Sequence, residues 1–287
     1  MTRRFALAAW CWPIVAIAQG DYPICQIMDR VETPAWEVRA GYLTEEEIDQ
    51  PTADKSGVIS IEGGGGIAYF QTGLGDFDIT GDYSLWHFTS SGGIDLPDQV
   101  GSATLQLTHT LRSWAGQGLR IDLRPGFYGD PGDAGSDDLF IPFGVAGIST
   151  INPQLSTLLG LNIYPDFDRV ADPVFGLRYA PNESLMVDAM YPQSRLVLVT
   201  SGGWEFELGV RILRQLEFQL EEDDPRERLI IEESRAYVGM VQPLPSGLNL
   251  TYRLEHVFGR SIGFDSNFPE SDQDSGISVS VGLMGSL

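Results

Sequence analysis

The chain holds three histidines, His87, His109 and His256. Histidine changes charge near neutral pH and is the usual general acid or base. Gly259-Arg260-Ser261-Ile262-Gly263 matches the G-x-S-x-G spacing of a nucleophile elbow. That turn needs a strand running into a helix, and a histidine later in the chain. No histidine follows His256, and the segment reads as a strand running into a loop. His256 lies shortly before Ser261, and His87 lies near Asp82, but nothing in the spacing fixes a mutual geometry. No catalytic residue is assigned, and the chain is expected not to be an enzyme. A hydrolase built on His256 and Ser261 stays as an alternative.

Metal and phosphate chemistry find little support. Asp130, Asp133, Asp137 and Asp138 lie in one Gly/Asp-rich loop whose oxygens could chelate Ca²⁺. The loop lacks the EF-hand order and a closing Glu, so a solvated, self-repelling loop is the simpler reading. No Cys/His spacing suits zinc. Gly63-Gly64-Gly65-Gly66 is not followed by the Lys-Ser/Thr of a phosphate loop. Within a strand, such glycines suggest a bend, a bulge or a close neighbour. No cofactor is expected.

A larger set of charged residues alternates with apolar ones. It comprises Arg112, Arg120, Asp122, Arg124 and Arg178, then Glu205, Glu207, Arg211, Arg253 and Glu255, with Asp78 and Asp82 beside them. On one face of a wall they could line a polar lumen and set its selectivity. They could equally pair across strands and fill a narrow barrel.

Those side chains need strands to hold them. Over 102–114, Ala103, Leu105, Leu107, His109 and Leu111 alternate with Thr104, Gln106, Thr108, Thr110 and Arg112. Trp204, Phe206, Leu208, Val210 and Ile212 alternate with Glu205, Glu207, Gly209 and Arg211. This period of two marks half-buried strands, and no long segment shows the 3.6-residue period of an amphipathic helix. The pattern yields fourteen strands, or twelve if 184–191 and 195–201 are not a true hairpin. Short turns such as 73–75 and 181–183 alternate with longer loops such as 129–138 and 215–228; the turn at 192–194 is short on the long-loop side. Most segments exceed the ~5–6 residues of a soluble strand and suit the ~9–11 that cross a bilayer at a tilt. Aromatics near strand ends, among them Trp36, Tyr42, Phe88, Trp114 and Trp204, could form interface girdles.

Composition narrows the setting. With 18 Lys+Arg against 40 Asp+Glu the formal charge is −22, which argues against nucleic acid as a partner. Arg3-Arg4, the apolar run from Phe5 and the site Ala16-Ile17-Ala18 read as a secretory signal cleaved between Ala18 and Gln19. Its removal takes two Arg and no acid, leaving 16 basic residues against 40 acidic and a charge of −24. Cys11 leaves with it, and Cys25 alone cannot form an internal disulfide. Beyond residue 18 no apolar stretch is long enough for a membrane helix.

The alternating strands, the turn asymmetry and the C-terminal segment Val281-Gly282-Leu283-Met284-Gly285-Ser286-Leu287 together resemble the Gram-negative outer-membrane β-barrel proteins, in particular their functionally unassigned families. The resemblance covers about residues 35–287 and is one of pattern; Leu287 stands where those proteins usually end in Phe. It implies an all-β, antiparallel transmembrane barrel in the outer membrane, with residues 1–18 a signal peptide and 19–34 a short periplasmic lead. It implies contact with outer-membrane lipid and lipopolysaccharide and with the assembly machinery. Acidic runs such as Glu45-Glu46-Glu47 and Glu221-Glu222-Asp223-Asp224 make one rim negative, able to bridge to lipid headgroups through divalent cations; chelation should then lower barrel stability in native membranes. The expected role is a passive pore or a structural barrel, with an outer-membrane hydrolase or a soluble exported β-sandwich as alternatives.

Overall fold

The computed structural model describes residues 35–48, 54–91, 96–112, 116–132, 135–136, 138–165, 167, 170–220, 228–264 and 271–286. Every regular element in them is a strand. The proposed signal, its cleavage site at Ala18 and Gln19, the lead segment and Leu287 lie outside the described residues.

Fourteen strands follow in chain order. They are β1 (Ala35–Ile48), β2 (Asp54–Thr72), β3 (Gly75–Ser91), β4 (Gln99–Arg112) and β5 (Gln117–Leu123 continued by Gly126–Gly129). Next come β6 (Leu139–Phe140 continued by Phe143–Asn152), β7 (Leu155–Ile163), β8 (Ala171–Asn182), β9 (Leu185–Tyr191) and β10 (Gln193–Val199). The last are β11 (Glu205–Gln219), β12 (Arg228–Pro243), β13 (Asn249–Phe264) and β14 (Ser271–Gln273 continued by Gly276–Ser286). The interruptions in β5 and β6 fall at Pro125 and Pro142, which have no N–H to give the ladder. Their carbonyls still accept, from Leu105 N at 2.9 Å and Arg124 N at 2.8 Å.

Each strand pairs antiparallel with the next, and β1 pairs with β14 from Ala35↔Ser286 to Leu43↔Ser278, so the sheet is a closed barrel. The expected hairpin at 184–201 is real, its last ladder pair being Asp188↔Arg195. Closure gives each strand a partner on both sides, which satisfies the backbone N–H and C=O groups through most of the ring. Apolar side chains face outward: Val38, Ile59, Ile61, Leu105, Ile121 and Leu208 are among those exposed. The alternate positions are buried and largely polar or charged. This is inside-out relative to a soluble sandwich, as a lipid-facing wall requires.

One close contact and one bulge account for glycines that interrupt the alternation. The Tyr83 ring lies over Gly63, where a Cβ would come within 2.7 Å of it. The register shifts between Gly66 and Ala68, a bulge in the glycine run.

The two ends of the barrel differ. At one end the connections are as brief as 73–74, 153–154 and 183–184, whereas the other carries 92–98, 130–138 and 220–227. At this long-loop end the wall is uneven: β2 has 19 residues, but β9 and β10 have 7 each. Pairing of β10 with β11 stops at Gln193↔Arg211. Beyond it β11 runs on to Gln219, paired with β12 through a register shift between Arg211 and Arg214. Its last residue, Gln219, bridges in parallel to Gly129 of β5, six places away around the ring. The outer half of the β11–β12 hairpin therefore leaves the wall and folds over the lumen.

Candidate functional site

The inner face of β8 to β14 carries one continuous row of register partners. It runs Arg178–Asp188–Arg195–Gly209–Tyr237–Glu255–Ser278, one residue from each strand. Asp188, fully buried, accepts from Arg178 Nε at 2.6 Å and Nη2 at 2.8 Å, and from Arg195 Nε at 2.8 Å. A carboxylate held by two guanidiniums keeps both its oxygens satisfied away from water.

Gly209 is the gap in this row, and Tyr237 fills it: a Cβ at position 209 would collide with the Tyr237 ring. The Tyr237 hydroxyl donates to Glu207 Oε1 at 2.8 Å and accepts from Gln193 Nε2 at 3.3 Å. The Arg253 guanidinium stands 4.4 Å from the centre of the Tyr237 ring and bonds Glu207 Oε2 at 3.1 Å. Arg235 reaches Glu233 and Glu255, both at 2.6 Å. Glu37 bonds Arg39 and Thr251, both at 2.9 Å, tying β1 to β13 across β14.

A second network sits on β3 to β5. Asp122, fully buried, accepts from Arg120 Nε at 2.9 Å, Thr108 Oγ1 at 2.6 Å and Gln106 Nε2 at 3.2 Å. Arg124 donates to Thr104 at 3.3 Å and stands 3.6 Å from Asp82.

The charged residues singled out in the sequence therefore fall into two groups. Arg178, Glu207, Arg211, Arg253 and Glu255 are buried on the β8–β14 side, with Glu205 half-buried at the start of β11. Arg120, Asp122 and Arg124 are buried on the β3–β5 side. Arg112 closes β4 opposite Gly118, at the short-turn end. Sequence reasoning passed over Glu37, Arg39, Glu62, Asp188, Arg195, Arg235 and Tyr237. The same alternation marks most of them, since Asp188 falls between Val187 and Ala189, and Arg39 between Val38 and Ala40.

Beside the β8–β14 group, against β1 and β2, lies a cavity of about 30 Å³, with room for about two waters. It is lined by Arg39, Glu62, Arg211, Arg235, Arg253 and Glu255, with serines 60, 278 and 280 and the Tyr237 ring. On the long-loop side the lumen turns apolar. Trp86, Phe88 and Val100 from β3 and β4 pack against Phe218, Leu229 and Ile231 of the folded-over hairpin. Trp86 and Phe218 have ring centres 6.2 Å apart, and the Arg235 guanidinium stands 5.9 Å from the Trp86 ring. Arg228, at the start of β12, lies 6.0 Å from the Phe140 ring on the opposite wall. Phe88 was expected in an aromatic girdle. It is buried in this cluster instead, because it shares the inward face with Trp86.

The other chemical candidates are dispersed. Ser261 lies within β13, paired with Glu232 and Asp272, and among the described residues no helix follows it. It is buried, whereas His256 is exposed and stacks on Phe258, so the two do not meet. His109 stacks on Phe77 at 3.9 Å, and His87 is exposed. Asp130 accepts from Gly132 N at 2.7 Å and Asp138 from Gly135 N at 2.6 Å, so both carboxylates stabilise turns of their own loop. Asp133 and Asp137 lie outside the described residues. Among the described residues no group of three or more His, Cys, Asp or Glu is placed to hold a metal.

No family model matches the chain, and no curated protein does. Among solved structures it is similar to the toluene transporter TodX of Pseudomonas putida, at 7% identity and TM-score 0.47, covering 89% of this chain and 90% of that one. The NanC porin is similar at 8% identity and TM-score 0.43, with 88% and 100% covered. The β domain of the Bordetella autotransporter BrkA is similar at 16% identity and TM-score 0.38, with 89% and 100% covered. These are likenesses of barrel form.

Proposed function

We propose that this chain is an outer-membrane barrel serving as a passive pore for small polar solutes, with an outer mouth that closes. One observation carries this reading: a closed barrel, apolar outside, holds a water-sized cavity ringed by charge directly beneath an apolar seal. Apolar constrictions of this kind gate by excluding water. The folded-over β11–β12 hairpin is the movable part, because β10 does not support its outer half.

A second reading, a structural barrel that never conducts, draws on the same seal, since opposing walls touch through Trp86 and Phe218. Planar-bilayer recording of the folded, heat-modifiable protein separates the two. Stepwise conductance, raised when Phe218→Ala weakens the seal, supports the pore. Silence from both proteins supports the structural barrel.

A further inference from the structure

We propose that the lumen cavity is an anion-binding constriction, so that the pore passes small anions in preference to cations. This rests on the pore reading. It is opposite in sign to what the whole-chain charge of −22 would suggest.

Four guanidiniums and two carboxylates reach the cavity, from Arg39, Arg211, Arg235, Arg253, Glu62 and Glu255. The two carboxylates do not balance the four cations at the surface an ion meets. Glu255 is already shared, at 2.6 Å from Arg235 and 3.7 Å from Arg253. Further counter-charges hold the arginines from outside the cavity lining. Glu37 holds Arg39 at 2.9 Å, Glu207 holds Arg253 at 3.1 Å and Glu233 holds Arg235 at 2.6 Å. Glu37, Glu207 and Glu233 are buried in the wall, and none of them lines the cavity. An ion inside therefore meets guanidinium N–H groups first and the balancing acids at greater range. Coulomb energy falls with distance, and a narrow low-dielectric passage weights the nearest charges most.

The lining is also suited in chemistry. Guanidinium forks match chloride, carboxylate and other small oxyanions, and the hydroxyls of serines 60, 278 and 280 add neutral donors.

The test is a reversal-potential measurement in a planar bilayer under a tenfold KCl gradient, with folded full-length protein and with Phe218→Ala. A reversal potential on the chloride side, moved toward the potassium side by Arg211→Gln, supports the constriction. Arg39→Gln provides a second removal from a different strand should Arg211→Gln fail to become heat-modifiable. A wild-type potential on the potassium side, or one that neither substitution moves, overturns this inference and leaves the pore reading standing. Absence of current from wild type and Phe218→Ala overturns the pore reading, and this inference with it.

Discussion

Tyr237 lies across the place that Gly209 leaves empty, and its hydroxyl donates to Glu207 at 2.8 Å. A side chain on β12 thereby fills a gap on β11 and orders the carboxylate that holds Arg253. Gly209→Ala should drive the ring out of this place. Tyr237→Phe should keep the ring and lose the donor, costing about 1–3 kcal/mol for the carboxylate left less satisfied. The urea midpoint of the heat-modifiable form should fall for both, and further for Gly209→Ala.

Asp188 is the shared partner of Arg178 and Arg195. Asp188→Asn removes the charge between two buried guanidiniums, and breaking such a buried pair costs roughly 3–5 kcal/mol. Unfolding followed by tryptophan fluorescence should show the loss. Arg195→Met alone should cost less, because Arg178 remains on the carboxylate. Equal losses from both substitutions would contradict the shared geometry.

The outward face can be tested at Leu208 and Val238, register partners that are 57% and 49% exposed. Arg at a lipid-facing midplane position costs about 2–4 kcal/mol, whereas on a soluble sandwich an exposed Leu→Arg is near neutral. Leu208→Arg should sharply lower folding yield into lipid vesicles. Release of the wild-type protein by osmotic shock without detergent would instead favour the soluble alternative.

Phe218 is nearly fully buried in the seal, packed on Trp86. Phe→Ala in a packed core costs about 3–5 kcal/mol. Here the loss should fall on the closed mouth rather than on the barrel. Conductance should rise while the temperature of heat-modifiability changes little. A large fall in that temperature with unchanged conductance would make the cluster a core and not a gate.

His256 is exposed and stacks on Phe258, whereas Ser261 is buried between its ladder partners Glu232 and Asp272. His256→Ala should therefore leave any lipid or peptide hydrolysis by the purified barrel unaltered. Loss of such activity in that variant would revive the hydrolase alternative.

Much of the barrel was legible in the chain alone. Lipid outside and charge inside force a period of two, so Leu105 to Arg112 and Trp204 to Ile212 announce strands and their faces without a partner in view. The fourteen strands and the turn asymmetry follow from the same signal, and so does the inward placing of Arg120, Asp122, Arg211 and Arg253. Which charges meet was not legible. Asp188 finds Arg178 and Arg195, and Tyr237 finds Gly209, only through the offsets between neighbouring strands, and a single strand's pattern is the same at every offset of two. The closed mouth was hidden for a further reason. It arises because β10 stops at Arg211's level while β11 continues to Gln219, which carries Phe218 across to Trp86. Local sequence determined the wall and its two faces, because each residue's solvent is set by its own position in the alternation. Only the tertiary structure decided the pairing and the closure, because both depend on strand heights and registers compared around the whole ring.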